Sequence, residues 1–121
     1  MTEAAGEPEL CVRPTGAEFL GYLHERKSDF IAFLEELTCI ESPSLAPETQ
    51  QRARAVIARR LQASGFHTLN LTGKNHGGNL YARPYARIRA QPAQLLVGHY
   101  DTVWPLGTLQ ERPFEVVGNR V

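Results

Sequence analysis

His99 and Asp101 stand two residues apart at the end of the apolar run Leu95-Leu96-Val97-Gly98. In an extended backbone, residues i and i+2 point to the same side, so the imidazole and the carboxylate project together. A neutral imidazole nitrogen can bind a divalent metal, and the other ring nitrogen then carries a proton that needs an acceptor. A carboxylate beside the ring fixes the tautomer and makes the ligating nitrogen more basic. His99 thus has the chemistry of a metal ligand and Asp101 that of its orienter. Gly98 lets the backbone pass close beneath such a site, and the carboxyl ends of strands in an α/β sheet are where ligands gather. The simpler alternative is a strand-end His and Asp that only hydrogen-bond near a turn. Local spacing leaves both open.

The other histidines offer less. His24-Glu25 lacks the second histidine, four residues after the first, that a metalloprotease helix needs, because position 28 is Ser; a solvated helix face is expected. His67 has no carboxylate partner in sequence and reads as a surface or packing residue. His76 falls in the turn Asn75-His76-Gly77-Gly78-Asn79, which lacks the Lys and Ser/Thr of a phosphate-binding loop. Arg52, Arg54, Arg59 and Arg60 read as an exposed helix face. Trp104 reads as a packing residue, with a substrate-side role as the alternative.

The elements that must position His99 follow from periodicity. Residues 1–16 carry Gly6, Pro8, Pro14 and Gly16 with little pattern and read as a flexible leader, leaving 17–121 as the folded part. From Ala17 to about Ile40, the residues Leu20, Leu23, Phe30, Leu34 and Leu37 recur at helical spacing and predict one helix. Glu41-Ser42-Pro43-Ser44 ends it. Pro47 to Ser64 predicts a second helix with Ala53, Val56, Ile57 and Leu61 buried and Gly65 as its left-handed terminator. Phe66–Leu71 and Asn79–Arg83 flank turn residues and predict a hairpin. Gln94–His99 predicts a central strand, since Leu95-Leu96-Val97 is apolar on both faces. A long loop punctuated by Pro105, Gly107 and Pro113 follows. Phe114–Val117, the turn Gly118-Asn119 and Arg120-Val121 predict a closing hairpin. Its return strand holds two residues, too few to satisfy its partner, so the sequence reads as truncated.

Composition bounds the function. The chain has 121 residues, 42% hydrophobic and 21% charged, with zero formal net charge. That fits one modest core and gives no electrostatic reason to expect nucleic acid or an anionic membrane as partner. No apolar run approaches the roughly 20 residues of a membrane span, and the first 14 residues lack a signal-peptide core. Cys39 lies in an apolar helical pattern and reads as a buried free thiol, while Cys11 lies in the leader. A reducing, cytoplasmic setting fits both.

The wider string is more specific than the pair. Gly98-His99-Tyr100-Asp101-Thr102-Val103-Trp104-Pro105, then Gly107 and Arg112-Pro113-Phe114, closely resembles the M20 family of zinc metallopeptidases. That family includes glutamate carboxypeptidase, acetylornithine deacetylase, succinyl-diaminopimelate desuccinylase and aminoacylase. The upstream order agrees: a long helix, Ile40-Glu41-Ser42-Pro43-Ser44, and a helix ending near Gly65-Phe66. The resemblance spans about residues 18–121. It implies a partial zinc-exopeptidase-like α/β catalytic domain, with a mixed sheet flanked by helices. It further implies a two-zinc centre, with cobalt as a substitute, in which His99 is the first metal ligand and Asp101 the active-site residue orienting it. The family's bridging Asp, its Glu-Glu pair and its remaining ligands would follow Val121. So would its smaller dimerisation domain, which makes a homodimer an expectation for the intact parent. The implied substrate is a small peptide or N-acyl amino acid, cut beside a free carboxylate. A glutamate-releasing carboxypeptidase comes first on account of the Thr102-Val103-Trp104-Pro105 loop, and deacylases follow. The isolated chain is expected to be inactive. The rival expectation is a non-catalytic remnant, or an interaction module that keeps the scaffold.

Overall fold

The computed structural model describes residues 14–86, 90 and 92–121. The leader expected over residues 1–16, with Cys11, therefore lies outside the described residues, except that Pro14 and Thr15 precede, and Gly16 opens, the first helix, α1 (Gly16–Glu25). A reciprocal cap starts α1. The Thr15 hydroxyl oxygen accepts from the Glu18 N–H at 3.3 Å, and the Glu18 carboxylate accepts from the Thr15 N–H at 2.8 Å. This pairing satisfies two donors that a helix start leaves open. The Thr15 N–H, and then its hydroxyl, hold the Glu18 carboxyl below its ordinary pKa.

The single helix expected over 17–40 is two. Arg26, at φ −104° and ψ 13°, separates α1 from α2 (Lys27–Thr38). The break is slight. The Arg26 N–H still reaches the Tyr22 carbonyl at 3.3 Å, and its own carbonyl accepts from Phe30 at 3.0 Å. The Arg26 guanidinium lies over the Tyr22 ring at 4.7 Å and 3.9 Å from Asp29, contacts that the apolar periodicity does not register. The apolar stripe survives the bend, with Leu20, Leu23, Phe30 and Leu34 lining one open groove. Among the described elements α1 packs only on α2, so Phe30 and Leu34 stay substantially exposed.

A 3₁₀ turn, Pro47–Thr49, leads into α3 (Gln50–Ala63), and Gly65 ends it at φ +84°. Helix α3 carries the core. Ala53, Val56 and Ala58 are buried, and Ile57 and Leu61 are half-buried. It packs on α2 and on the hairpin of β1 (Phe66–Leu71) and β2 (Asn79–Pro84). The strands are antiparallel, with Phe66 opposite Pro84 and Leu71 opposite Asn79. Polar contacts bind α3 to its neighbours. Arg59 pairs with Glu36 and the Arg60 guanidinium lies 5.1 Å from the Phe33 ring centre, while the Gln62 amide donates to Thr68 at 2.6 Å. Arg54 departs from the exposed face expected of the four arginines. It is half-buried and donates to the Gly77 carbonyl.

Two strand expectations fail. Residues 92–100 form no regular element, and Leu95, Leu96 and Val97 are 82%, 94% and 86% exposed. A strand apolar on both faces needs neighbours at its edges and layers on both sides, whereas among the described residues the sheet consists of β1 and β2. The closing hairpin is reduced to one bridge, Val117 with Arg120, across Gly118 at φ +60°. The expected long loop contains a one-turn helix, α4 (Thr108–Glu111). Among the described residues the fold is therefore a small mixed α/β arrangement of four helices and a two-stranded antiparallel sheet, where a mixed sheet was expected. The parallel pairing among these residues is a single bridge between Pro43 and Thr102. Among the described residues no helix is long and apolar enough to cross a membrane.

Candidate functional site

The segment bearing His99 and Asp101 is held from one side by Glu41–Ser44, which follows α2 after Cys39 and Ile40. The Ser42 carbonyl accepts from the Thr102 N–H at 2.9 Å, and the Ser44 N–H donates to the Thr102 carbonyl at 2.9 Å. These two bonds make the parallel bridge at Pro43, whose own nitrogen has no proton to give. The buried Ser42 hydroxyl adds a bond to the Tyr100 carbonyl at 2.8 Å. The Ser44 hydroxyl donates to Asp101 Oδ2 at 2.6 Å.

Glu41 extends the same strap in the other direction. Its carboxylate accepts from the Gly107 N–H at 2.8 Å and the Leu109 N–H at 3.0 Å. Those donors hold its carboxyl below the ordinary carboxylate range, Gly107 contributing most. Gly107 sits at φ +92°, a conformation that costs a side-chain-bearing residue energy and that glycine adopts freely. Glu41–Ser44 thus bonds Tyr100, Asp101, Thr102, Gly107 and Leu109.

With the backbone so fixed, side chains alternate. Tyr100 reaches the 73–78 turn, its hydroxyl 2.5 Å from the Gly78 carbonyl and 3.1 Å from that of Gly77. His99 and Asp101 come together. His99 Nδ1 is 3.5 Å from Asp101 Oδ1 and 3.0 Å from the Asp101 main-chain carbonyl. A carbonyl can only accept, so that contact places the proton on Nδ1 and leaves the Nε2 lone pair free in the neutral ring. The His99 side chain is 83% exposed and that of Asp101 38%, so neither is sequestered in the core. The Asp101 carboxyl lies below its ordinary pKa, chiefly through the Ser44 hydroxyl, with the His99 ring a smaller cause.

His99 Nε2 can therefore take one corner of a metal site. Zinc takes four donors, or three protein donors and a water. Among the described residues no group of three or more His, Cys, Asp or Glu side chains comes together. The donor set fits a single ligand with a carboxylate behind it, and a complete centre needs ligands from elsewhere.

The remaining candidates fall into place locally. His24 borders the α1–α2 groove. His67 is exposed and meets Tyr85 edge-on at 4.2 Å. His76 Nδ1 accepts from the Gly78 N–H at 3.0 Å within its turn. Trp104 carries the Arg112 guanidinium 4.6 Å from its ring centre, beside a cleft of about 210 Å³ that Glu41, Thr102 and Leu109 also line. Cys39 is a free thiol, exposed where burial was expected, because α2 ends at Thr38 and Cys39 caps it through its N–H to Glu35 at 2.9 Å.

In the sequence, Glu41-Ser42-Pro43-Ser44 reads as a helix stop and as part of the resemblance, and neither it nor Tyr100 reads as positioning the site. A signal was present: Ser42 and Ser44 repeat the i, i+2 spacing of His99 and Asp101, which marks a second extended segment with polar groups on one side. No family model, curated protein or solved structure matches this chain.

Proposed function

We propose that this chain carries the first ligand, His99, and its orienting carboxylate, Asp101, of a two-zinc hydrolase. The reaction would cleave a peptide or amide bond beside a free carboxylate. A small peptide yielding a C-terminal glutamate is the first substrate class and an N-acyl amino acid the second. The observation that supports this most is the tautomer at His99: Nδ1 faces Asp101 and Nε2 is left open to a cation. The resemblance of Gly98–Pro105 to the M20 pattern supplies the reaction class, and the zinc-exopeptidase-like fold belongs to the same proposal.

His99 presents the lone pair. Asp101 stabilises the ring in the ligating tautomer and balances the charge it gains. Ser42 and Ser44 hold the backbone that aims both. When bound, the metal pair supplies an acidified water and a Lewis acid for the amide carbonyl. The other ligands, the general base and the carboxylate-recognising groups would come from residues beyond these 121, so the isolated chain is proposed to be inactive. A cytoplasmic parent is consistent with the free Cys39 thiol.

The test is His99→Ala in the intact parent. Loss of both bound zinc and hydrolysis is expected, whereas unchanged metal content and kinetics would assign the chain to a non-catalytic scaffold. Asp101→Asn is expected to keep the fold and lower the rate. The isolated chain is expected to bind zinc weakly by calorimetric titration; tight one-to-one binding would show that these residues already complete a site.

A further inference from the structure

We infer that Ser44 is a positioning residue for the His99–Asp101 pair, its hydroxyl selecting which way the carboxylate faces. The inference rests on the reading of His99 as a ligand oriented by Asp101. A carboxylate that is 38% exposed turns about two side-chain bonds and needs something to stop it. Ser44 supplies the stop. Its hydroxyl is 2.6 Å from Oδ2, which leaves Oδ1 as the oxygen turned to His99 Nδ1 at 3.5 Å. The hydroxyl has one proton, and its other acceptor, the Thr102 carbonyl, is farther away at 3.1 Å. The shorter bond goes to the charged group, as charge-assisted bonds do.

The hydroxyl's own position is fixed. The Ser44 N–H and the Ser42 carbonyl both bond Thr102 at 2.9 Å, so the strap and the site segment move as one. Ser44 is exposed. Packing does not explain a side chain there, and replacing it leaves no cavity. What the side chain contributes is one donor aimed at one oxygen.

Ser44→Thr and Ser44→Val test this, because they share a shape and differ in the hydroxyl. The readout is the pair of imidazole ¹⁵N shifts of His99 in the full 121-residue chain, at mildly alkaline pH, with the hairpin amides as a fold control. The unaltered chain is expected to hold the Nδ1–H tautomer. Ser44→Thr keeps it, and Ser44→Val weakens the preference to what the Asp101 main-chain carbonyl, 3.0 Å from Nδ1, holds alone, read as a shift toward the Nε2–H form. Retention in both variants, or loss in both, overturns the role of the hydroxyl. Asp101→Asn separates the two levels of the reading. If it loses the tautomer while Ser44→Val keeps it, the Ser44 proposal falls and the Asp101 reading stands. If it too keeps the tautomer, the carboxylate does not orient the ring and both fall.

Discussion

The α2–α3–hairpin region and the segment from His99 to Val121 are held by different physics. In the first, α3 buries Ala53, Val56 and Ala58 as the apolar core, with Arg54, Arg59 and Gln62 adding polar bonds at its edges. In the second, hydrogen bonds from Glu41–Ser44 hold Tyr100, Asp101, Thr102, Gly107 and Leu109. Burial is non-directional and tolerates small shifts. Hydrogen bonds to a carboxylate or a main-chain amide fix direction within tenths of an ångström. The segment that carries the His99 imidazole is held by the directional kind.

The largest expected effect breaks the first region. Ala53 is 1% exposed, so Ala53→Asp buries an unpaired carboxylate at a cost of about 3–5 kcal/mol. Urea denaturation followed by far-UV circular dichroism should show α3 and the hairpin lost together. Survival of the hairpin alone would mean that α3 is not its core.

The next test probes the junction. A Cβ on Gly77 would overlap Gln50 Oε1 and lie 2.7 Å from Gln50 Cβ. Gln50 is buried and its amide already donates to the Pro43 carbonyl at 3.0 Å, so it cannot simply swing aside. Gly77→Ala is expected to cost about 1–3 kcal/mol by overpacking. Gln50→Ala in the same chain should recover part of that loss, a non-additivity read from a double-mutant cycle. Strict additivity would place the strain elsewhere.

A third test acts on the second region alone. Glu41 has its pKa lowered in the fold, so its contribution is complete above the ordinary carboxylate pKa and disappears as pH falls through the lowered value. The Gly107 and Leu109 amide resonances should shift together on acidification, with a midpoint below that of an ordinary glutamate. In Glu41→Gln this shared step should vanish, while the hairpin amides stay unchanged. A midpoint at or above the ordinary value would contradict the cap. The smallest effect is Thr15→Ala, which removes the cap of α1 at about 1 kcal/mol and should leave the His99 imidazole shifts untouched.

The same contrast explains what could be read from the sequence. Helix α3, its Gly65 terminator and the β1–β2 hairpin were legible because each is set by local periodicity and turn chemistry. His99 and Asp101 were legible as a pair because their spacing is local too. The strap was not, since nothing near Glu41, Ser42 or Ser44 announces that its partners lie beyond residue 99. The Leu95-Leu96-Val97 run forms no strand because an apolar run records only a preference for burial, and no described strand or helix lies beside it to accept it. Arg26 broke a helix whose stripe runs through the break unchanged.

The bonds from the strap join residues 57, 66 and 68 positions apart. Loops that long lose chain entropy before any contact rewards their closure, and contacts of high sequence separation form late. The order of assembly follows. The helices and hairpin come first, and the imidazole acquires its aim only when the chain on either side of the hairpin has been brought together, so a ribosome must release residue 109 before the strap has all its partners.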